Sequence, residues 1–162
     1  MAHIRYEFRP LSAADLPLVG RWLEQPHVAQ WWPDPAQLER IRAHIDDPAI
    51  DLFVVHADDR PIGYLQCYDP HAGADHPFAD QPPGTRGIDQ LIGEPDMVGR
   101  GHGSTLTRVF VERLFAAGMP RAVADPDPAN LRAVRAYEKA GFRSDRVVDT
   151  PWGRTVLMVC TS

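Results

Sequence analysis

A glycine-rich turn at residues 99–103, Gly-Arg-Gly-His-Gly, is the feature that most constrains the fold of this chain. It lies between a predicted strand, Arg86 to Ile92, and an amphipathic segment that ends at Gly118. Alternating glycines let the backbone approach a ligand closely, and a helix N-terminus directs free N–H groups and a positive dipole end at it. The turn therefore predicts an anion site suited to a diphosphate, the alternative being a strand-to-helix turn without a ligand. Its spacing fits neither a Walker loop nor a Rossmann fingerprint.

The rest of the chain alternates strand and helix patterns over a length of 162 residues, which suits a single domain. A first strand, two helical segments and a β-hairpin precede residues 69–83, a long loop rich in Pro, Gly, Ala, His and Asp. After the glycine turn come a buried strand at 122–124, a helix predicted to begin at Asp127-Pro128, and two final strands around the turn 150–153. The order predicts an α/β domain that combines hairpins with a β–α–β–α–β core.

Composition narrows the class of protein. The formal net charge is −5, which disfavours nucleic acid as a partner because phosphate binding requires a basic face. No apolar stretch is long enough to cross a bilayer. Cys67 and Cys160 do not form a disulfide framework, and the sequence lacks a secretory leader, so a cytoplasmic location is expected.

A second motif follows the glycine turn, Asn-Leu-Arg-Ala-Val-Arg-Ala-Tyr-Glu-Lys-Ala-Gly-Phe at 130–142. Together the two motifs resemble the GCN5-related N-acetyltransferase (GNAT) superfamily. The resemblance implies a GNAT fold, a mixed, mostly antiparallel sheet with splayed central strands, here 86–92 and 122–125, and flanking helices. It also implies acetyl-CoA as the acetyl donor. The coenzyme contacts would come from Ile92, Val98, Gly99, Arg100, Gly101, His102, Gly103, Ser104, Thr105, Asn130, Ala133, Tyr137 and Lys139.

Four further segments are similar to aminoglycoside 6'-N-acetyltransferases: 27–32, 61–68, 86–90 and 125–130. That resemblance places Asp89 beside the amine that is acetylated and Tyr137 near the coenzyme sulfur as the acid. It assigns the antibiotic's other amines to Asp125. The remaining acceptor-binding residues that we infer are Asp75, Trp31, Gln90 and Tyr68. Adjacent Trp31 and Trp32 cannot share one helix face, so one is expected in the core and the other in the cleft.

The charge pattern agrees with a cationic acceptor. Residues 69–98 contain six carboxylates and one Arg, a net −5 that could concentrate a polycation; the alternative is a solvated acidic loop. An ordinary Asp has a pKa of about 3.9, so Asp89 is a poor base unless burial raises its pKa, and its larger role would be to position the ammonium. Tyr137 could equally be a core aromatic on an amphipathic helix.

The sequence is also compatible with other functions. One is acylation of hydroxylysine in siderophore synthesis, although that group tends to have His where this chain has Asp89. Another is acetylation of a protein or peptide N-terminus, and a third is a non-catalytic acyl-CoA-binding module. The spacing of Asp69, His71, Asp75 and His76 fits no recognised metal site, so no metal is expected. We expect one acetyltransferase domain over 1–162, as a monomer or weak homodimer.

Overall fold

The computed structural model describes residues 3–73 and 75–162, and its elements alternate as the sequence predicts. Two short 3₁₀ turns lie at Ala13–Asp15 and Pro95–Met97. The helices are α1 (Leu16–Glu24), α2 (Pro26–Ala29), α3 (Gln37–His44), α4 (His102–Ala116) and α5 (Leu131–Lys139). The strands are β1 (Tyr6–Pro10), β2 (Ile50–Ala57), β3 (Arg60–Tyr68), β4 (Arg86–Ile92), β5 (Arg121–Ala124), β6 (Arg143–Thr150) and β7 (Gly153–Thr161).

The seven strands form one mixed sheet in the order β1-β2-β3-β4-β5-β7-β6. The β1–β2, β5–β7 and β6–β7 pairs are antiparallel, whereas β4 and β5 are parallel. The predicted fold class, a mostly antiparallel sheet with flanking helices, is therefore confirmed. In the pairing of β4 with β5, Arg86 lies opposite Ala122 and Gly87 lies opposite Val123. Beyond these pairs β4 continues for five residues, whereas β5 ends one residue later. The two strands that we expected to splay thus share a short paired stretch.

The chain divides into two compact units by contact density. The first contains the chain up to Gln66 together with residues 90–102. Its core is built on α1, where Leu16, Val19 and Trp22 recur at helical spacing and are buried. The Trp22 indole N–H donates to Glu94 Oε2 at 2.8 Å, and Gly93 lies so close to the ring that a side chain there would overlap it.

The second unit contains residues 67–89 and 103–162. A small core of Phe78, Val123 and Leu157 is fully buried. Phe78 comes from the loop between β3 and β4, so that loop is tied to its unit by an apolar anchor. Two polar contacts fix it further: Arg146 donates to Asp80 Oδ2 at 2.7 Å, and Arg121 donates to Gln81 Oε1 at 2.9 Å.

Helix α5 begins later than the sequence predicts. Instead of capping a helix, the Asp127 carboxylate accepts from the Ala129 N–H at 2.8 Å and forms an Asx turn. Asn130 is the actual N-cap, with its side-chain oxygen accepting from the Ala133 N–H at 3.2 Å. Both Asp127-Pro128 and Asn130 are acceptable helix starts by composition, and the Asx turn favours the second.

No helix in the described ranges, 3–73 and 75–162, is long and apolar enough to span a membrane.

Substitution of Gly93 tests the packing around Trp22. Gly93→Ala should destabilise the fold by about 1–3 kcal/mol, because the added methyl group must displace a fully buried indole ring. Gly73→Ala is the matched control, since no atom lies within 4 Å of the methyl position. Urea unfolding of both variants would measure the difference; equal midpoints would contradict the assigned packing.

Candidate active site

Two carboxylic acids, Asp89 and Asp125, meet at the ends of the parallel strands. Asp89 lies two residues beyond the last paired residue of β4, and Asp125 directly follows β5. The carboxyl ends of parallel neighbours share one edge of a sheet, which is where such folds usually bind ligands. The Asp125 carboxyl hydrogen-bonds to that of Asp89. The two acids predicted from the resemblance are therefore brought together.

The environment favours a protonated Asp125. Burial raises the pKa of Asp125 well above its usual range, and the neighbouring charge of Asp89 raises it further. A hydrogen bond from Trp152 opposes both effects. Two carboxylates in direct contact cannot both ionise without a large repulsion, so the pair holds a proton until a cation arrives. Asp125 is then the donor and Asp89 the acceptor within the pair.

Tyr68, at the end of β3, is the third member of this group. Its ring lies over Gly87, where any side chain would overlap it, so the glycine makes room for the tyrosine. Burial raises the pKa of Tyr68 well above 10, with further increases from the charges of Asp89 and Asp125 and from Tyr137. The phenol therefore stays protonated and presents an O–H donor beside two acids.

Tyr137 lies on the buried face of α5, with 5% of its surface exposed, and packs edge-on against Phe142 at 5.3 Å. It also interacts electrostatically with Tyr68. The ring of Tyr137 is thus part of the core, as one of the two alternatives predicted, while its role as an acid stays a prediction. The C-terminal end of α5 is held by Arg108, which donates to the Lys139 carbonyl.

Trp152 and His76 complete the group, and the sequence analysis missed both. The Trp152 indole N–H donates to Asp125 Oδ2 at 2.9 Å. The His76 ring lies 5.2 Å from that of Tyr68 and 5.7 Å from that of Trp152. Burial lowers the pKa of His76, so its imidazole is neutral. The available signal was the Pro151-Trp152-Gly153 turn, which places an aromatic residue at a hairpin tip.

The acidic segment 69–98 does not act as one cluster. Asp80 pairs with Arg146, and Asp96 and Glu94 pair with Arg60, at 2.8 and 3.4 Å for the latter two. Asp69 lies 3.9 Å from Arg86, and Asp75 is exposed in the long loop. Excess negative charge along the sequence therefore does not become one acidic cluster in the structure. Most of their charge is balanced by arginines from distant parts of the chain, and Asp89 is the one that joins Asp125.

The glycine turn has the backbone geometry that its sequence predicts. Gly99 and Gly101 have φ of +76° and +85°, which residues with a side chain rarely adopt. Apart from the chain neighbours, no atom of the described residues lies within 4 Å of the position that a Cβ would take at either glycine. Helix α4 begins directly after them, at His102. The turn therefore leaves an open backbone at the start of a fifteen-residue helix.

His102 lies in this turn, but its side chain is buried, with 6% exposed. Its Nδ1 forms a 2.7 Å hydrogen bond with the hydroxyl of Tyr6 on β1. Burial lowers the pKa of His102, and the charge of Arg100 lowers it further, so the imidazole is neutral. Its ring fixes the turn to β1, which leaves the backbone N–H as its contribution to any bound phosphate.

The remaining predicted residues of the first unit occupy distinct places. The Ile92 carbonyl is hydrogen-bonded to His27 Nε2 at 2.8 Å. Among the described residues, the buried Gln90 Oε1 has no hydrogen-bond partner. Trp31 and Trp32 follow α2, which ends at Ala29, so the expectation that they occupy two faces of a helix is wrong. Both are half-buried, and Trp32 packs edge-on against Tyr64 at 6.2 Å beside the core.

No group of three or more His, Cys, Asp or Glu side chains that could hold a metal ion occurs in the part of the chain that the structure describes. Asp69 and His71 lie near each other, at 3.4 Å, but the His71 Nε2 is hydrogen-bonded to the Gln81 carbonyl. These side chains therefore serve to hold the loop.

Comparison with known proteins identifies the family. A family model described as an acetyltransferase (GNAT) domain matches residues 12–150. The chain belongs to the GNAT acetyltransferase family. It is 34% identical to the aminoglycoside N(6')-acetyltransferase type 1 of Klebsiella pneumoniae, in an alignment that covers 94% of this chain and 81% of the relative. The resemblance inferred from the sequence motifs is confirmed.

Solved structures of this GNAT group have the same fold. The aminoglycoside acetyltransferase AAC(6')-Ib with coenzyme A and kanamycin superposes with a TM-score of 0.87 at 34% identity, covering 97% of this chain and 95% of that one. The same enzyme with paromomycin and acetyl-CoA gives a TM-score of 0.86, with 96% and 93% covered. A GNAT chain with this architecture is an acetyl-CoA-dependent N-acetyltransferase, as the two motifs predicted.

The acid pair predicts an unusual dependence of stability on pH. Because the folded-state pKa of Asp125 is raised, the contribution of this group to stability is fully present below its unfolded pKa of about 3.9 and is lost as the pH rises through the folded value. Each unit of that shift costs about 1.4 kcal/mol. Asp125→Asn should therefore be more stable than the wild type at pH 8, with a smaller difference at pH 5.

Thermal unfolding at both pH values would measure this effect. Asp149→Asn is the control, because it removes one carboxylate from an exposed position on β6 and should leave the pH dependence of unfolding unchanged. An Asp125→Asn protein less stable than the wild type at pH 8 would show that the acid pair is not under electrostatic strain.

Proposed function

We propose that this protein is an aminoglycoside 6'-N-acetyltransferase that transfers the acetyl group of acetyl-CoA to a primary amine of the antibiotic. The observation that carries the proposal is the contact between Asp89 and Asp125 beside Tyr68. Support from relatives is direct, since the similar solved enzyme is described with coenzyme A and kanamycin.

The acid pair explains why the acceptor should be a cation. An ammonium group bound between the carboxyls would relieve their repulsion, and both could then ionise. Binding would release the proton that the pair holds in the free protein. A polyamine sugar offers several ammonium groups, so one can be the reacting amine at Asp89 while Asp125 holds another.

The donor would bind at the glycine turn. The backbone N–H groups of residues 98–105 and the start of α4 would hold the coenzyme diphosphate, with Gly99 and Gly101 providing the close approach. The family resemblance assigns the rest of the coenzyme to Asn130, Ala133 and Lys139 on and before α5. Here Asn130 already uses its side-chain oxygen as the helix cap, which leaves its amide N–H₂ as a donor.

The chemistry has three steps. Asp89 takes a proton from the bound ammonium, directly or through water. The amine nitrogen then attacks the thioester carbon, whose oxygen becomes an oxyanion held by the backbone N–H at Ile92. Finally the C–S bond breaks and Tyr137 donates its proton to the departing sulfur. The nitrogen gives up its second proton, which returns to the Tyr137 phenolate through water, so that coenzyme A and the neutral amide leave. Tyr68 stays protonated throughout, because burial and the neighbouring acids raise its pKa.

We also propose a single acetyltransferase domain over residues 1–162, working in the cytoplasm as a monomer or weak homodimer. The matched family model spans residues 12–150 and supports the first of these proposals.

Acceptor identity is tested by thiol release from acetyl-CoA with kanamycin, tobramycin, amikacin and hydroxylysine. We expect turnover with at least one aminoglycoside and none with hydroxylysine. Asp89→Asn should lower kcat by about 100-fold or more, because the proton acceptor is removed. Coenzyme binding should be unchanged, and Asp149→Asn should behave as the wild type. Turnover of hydroxylysine alone would refute the proposal.

The pH dependence of kcat/KM for the aminoglycoside is a second test. Protonation of the acid pair competes with ammonium binding, so activity should fall as the pH drops through the raised pKa of Asp125. Asp125→Asn should lose this acid limb and raise KM about 10- to 150-fold, since a charge-assisted hydrogen bond contributes about 1.5–3 kcal/mol. An unchanged limb in the variant would exclude Asp125 as the titrating group.

A further inference from the structure

Trp152 is held rigidly although it is exposed. It occupies a two-residue connection between β6 and β7, where Thr150 pairs with Gly153 and the Thr150 hydroxyl donates to the Gly153 carbonyl at 2.6 Å. The residue is 55% exposed. A side chain this exposed contributes little to the core, yet the Trp152 indole has a hydrogen bond and a ring contact within the protein.

Those contacts lead to the acid pair. The indole N–H donates to Asp125 Oδ2 at 2.9 Å, which orients the carboxyl, and the His76 ring lies 5.7 Å away at an angle of 48°. His76 in turn rests on the buried Phe78, at 5.4 Å, so the aromatic contacts continue into the core. An aromatic ring that is supported from the core and open to solvent therefore borders the acid pair at Asp125.

We propose that Trp152 is a specificity-determining residue of the acceptor site: its indole face is the surface on which a sugar ring packs, and its N–H positions Asp125 for the attached ammonium. The inference rests on the proposed function and deepens it: Trp152 would favour acceptors whose amines are carried on a ring.

The two parts of the indole have different roles. An aromatic face attracts both the apolar C–H side of a ring and a nearby cation. A linear amine has no ring to place there and gains only from the carboxyls. The indole N–H acts on Asp125, where its hydrogen bond lowers the pKa that the charge of Asp89 raises. Two titratable groups act on Asp125 directly, Asp89 from β4 and Tyr68 from β3. Tyr137 from α5 interacts with Tyr68, and the His76 ring from the loop lies beside those of Tyr68 and Trp152.

Two variants separate these roles. Trp152→Ala removes both ring and N–H, and we expect the aminoglycoside KM to rise about tenfold with the acetyl-CoA KM unchanged. Trp152→Phe retains an aromatic face, so most of that affinity should be kept. Both variants lose the N–H, and the acid limb of kcat/KM should move to higher pH in each. Val147→Ala, at an exposed position on β6, is the control and should match the wild type.

The outcomes distinguish this inference from the proposed function. If the wild type acetylates no aminoglycoside, the proposed function fails and the inference fails with it. If the wild type is active but Trp152→Ala retains its aminoglycoside KM, the inference alone is overturned. A lower melting temperature with unchanged KM values and pH profile would mean that Trp152 only stabilises the hairpin. A tenfold rise in KM with Trp152→Ala, largely reversed in Trp152→Phe, supports the inference.

Discussion

The contact between the carboxyl groups of Asp89 and Asp125 is the interaction that the neighbouring side chains must stabilise. Burial and mutual repulsion make this pair costly, and the cost appears as the raised pKa of Asp125. Nearby groups limit it: Trp152 donates a hydrogen bond to Asp125, and the protonated Tyr68 adds no charge of its own. A pair kept in this state binds a cation strongly because the cation removes the repulsion. A strained pair of this kind is typical of functional sites, and it supports the proposed binding of an ammonium group.

The second unit provides the rigidity that such a pair needs. Parallel pairing of β4 with β5 brings the two acids to one edge, and Gly87 leaves the space that the Tyr68 ring fills. The loop between β3 and β4 would otherwise be free to move. It is fixed by the buried Phe78 and by the ion pair of Asp80 with Arg146, and it therefore holds His76 beside Trp152.

In the first unit, a long-range contact likewise fixes the glycine turn, which is the proposed coenzyme site. The turn at Gly99 and Gly101 has an open backbone, which a free segment would not keep in one conformation. The hydrogen bond between His102 and Tyr6 ties the beginning of α4 to β1. A neutral, buried histidine serves this purpose better than an exposed one, because its ring is kept from water.

The sequence by itself determined the family and the order of the elements, because these depend on local motifs and on their spacing; through the family resemblance it also named Asp89, Asp125 and Tyr137 as candidate site residues. It did not reveal which acids act together. Counting charges along 69–98 suggested one acidic cleft, but Arg60 and Arg146, from distant strands, neutralise most of it. Trp152 and His76 were missed for the same reason: each becomes meaningful only through a contact with a residue tens of positions away. Long-range pairing, which only the tertiary structure decides, joins Asp89 to Asp125 and gives Asp80, Glu94 and Asp96 to arginines.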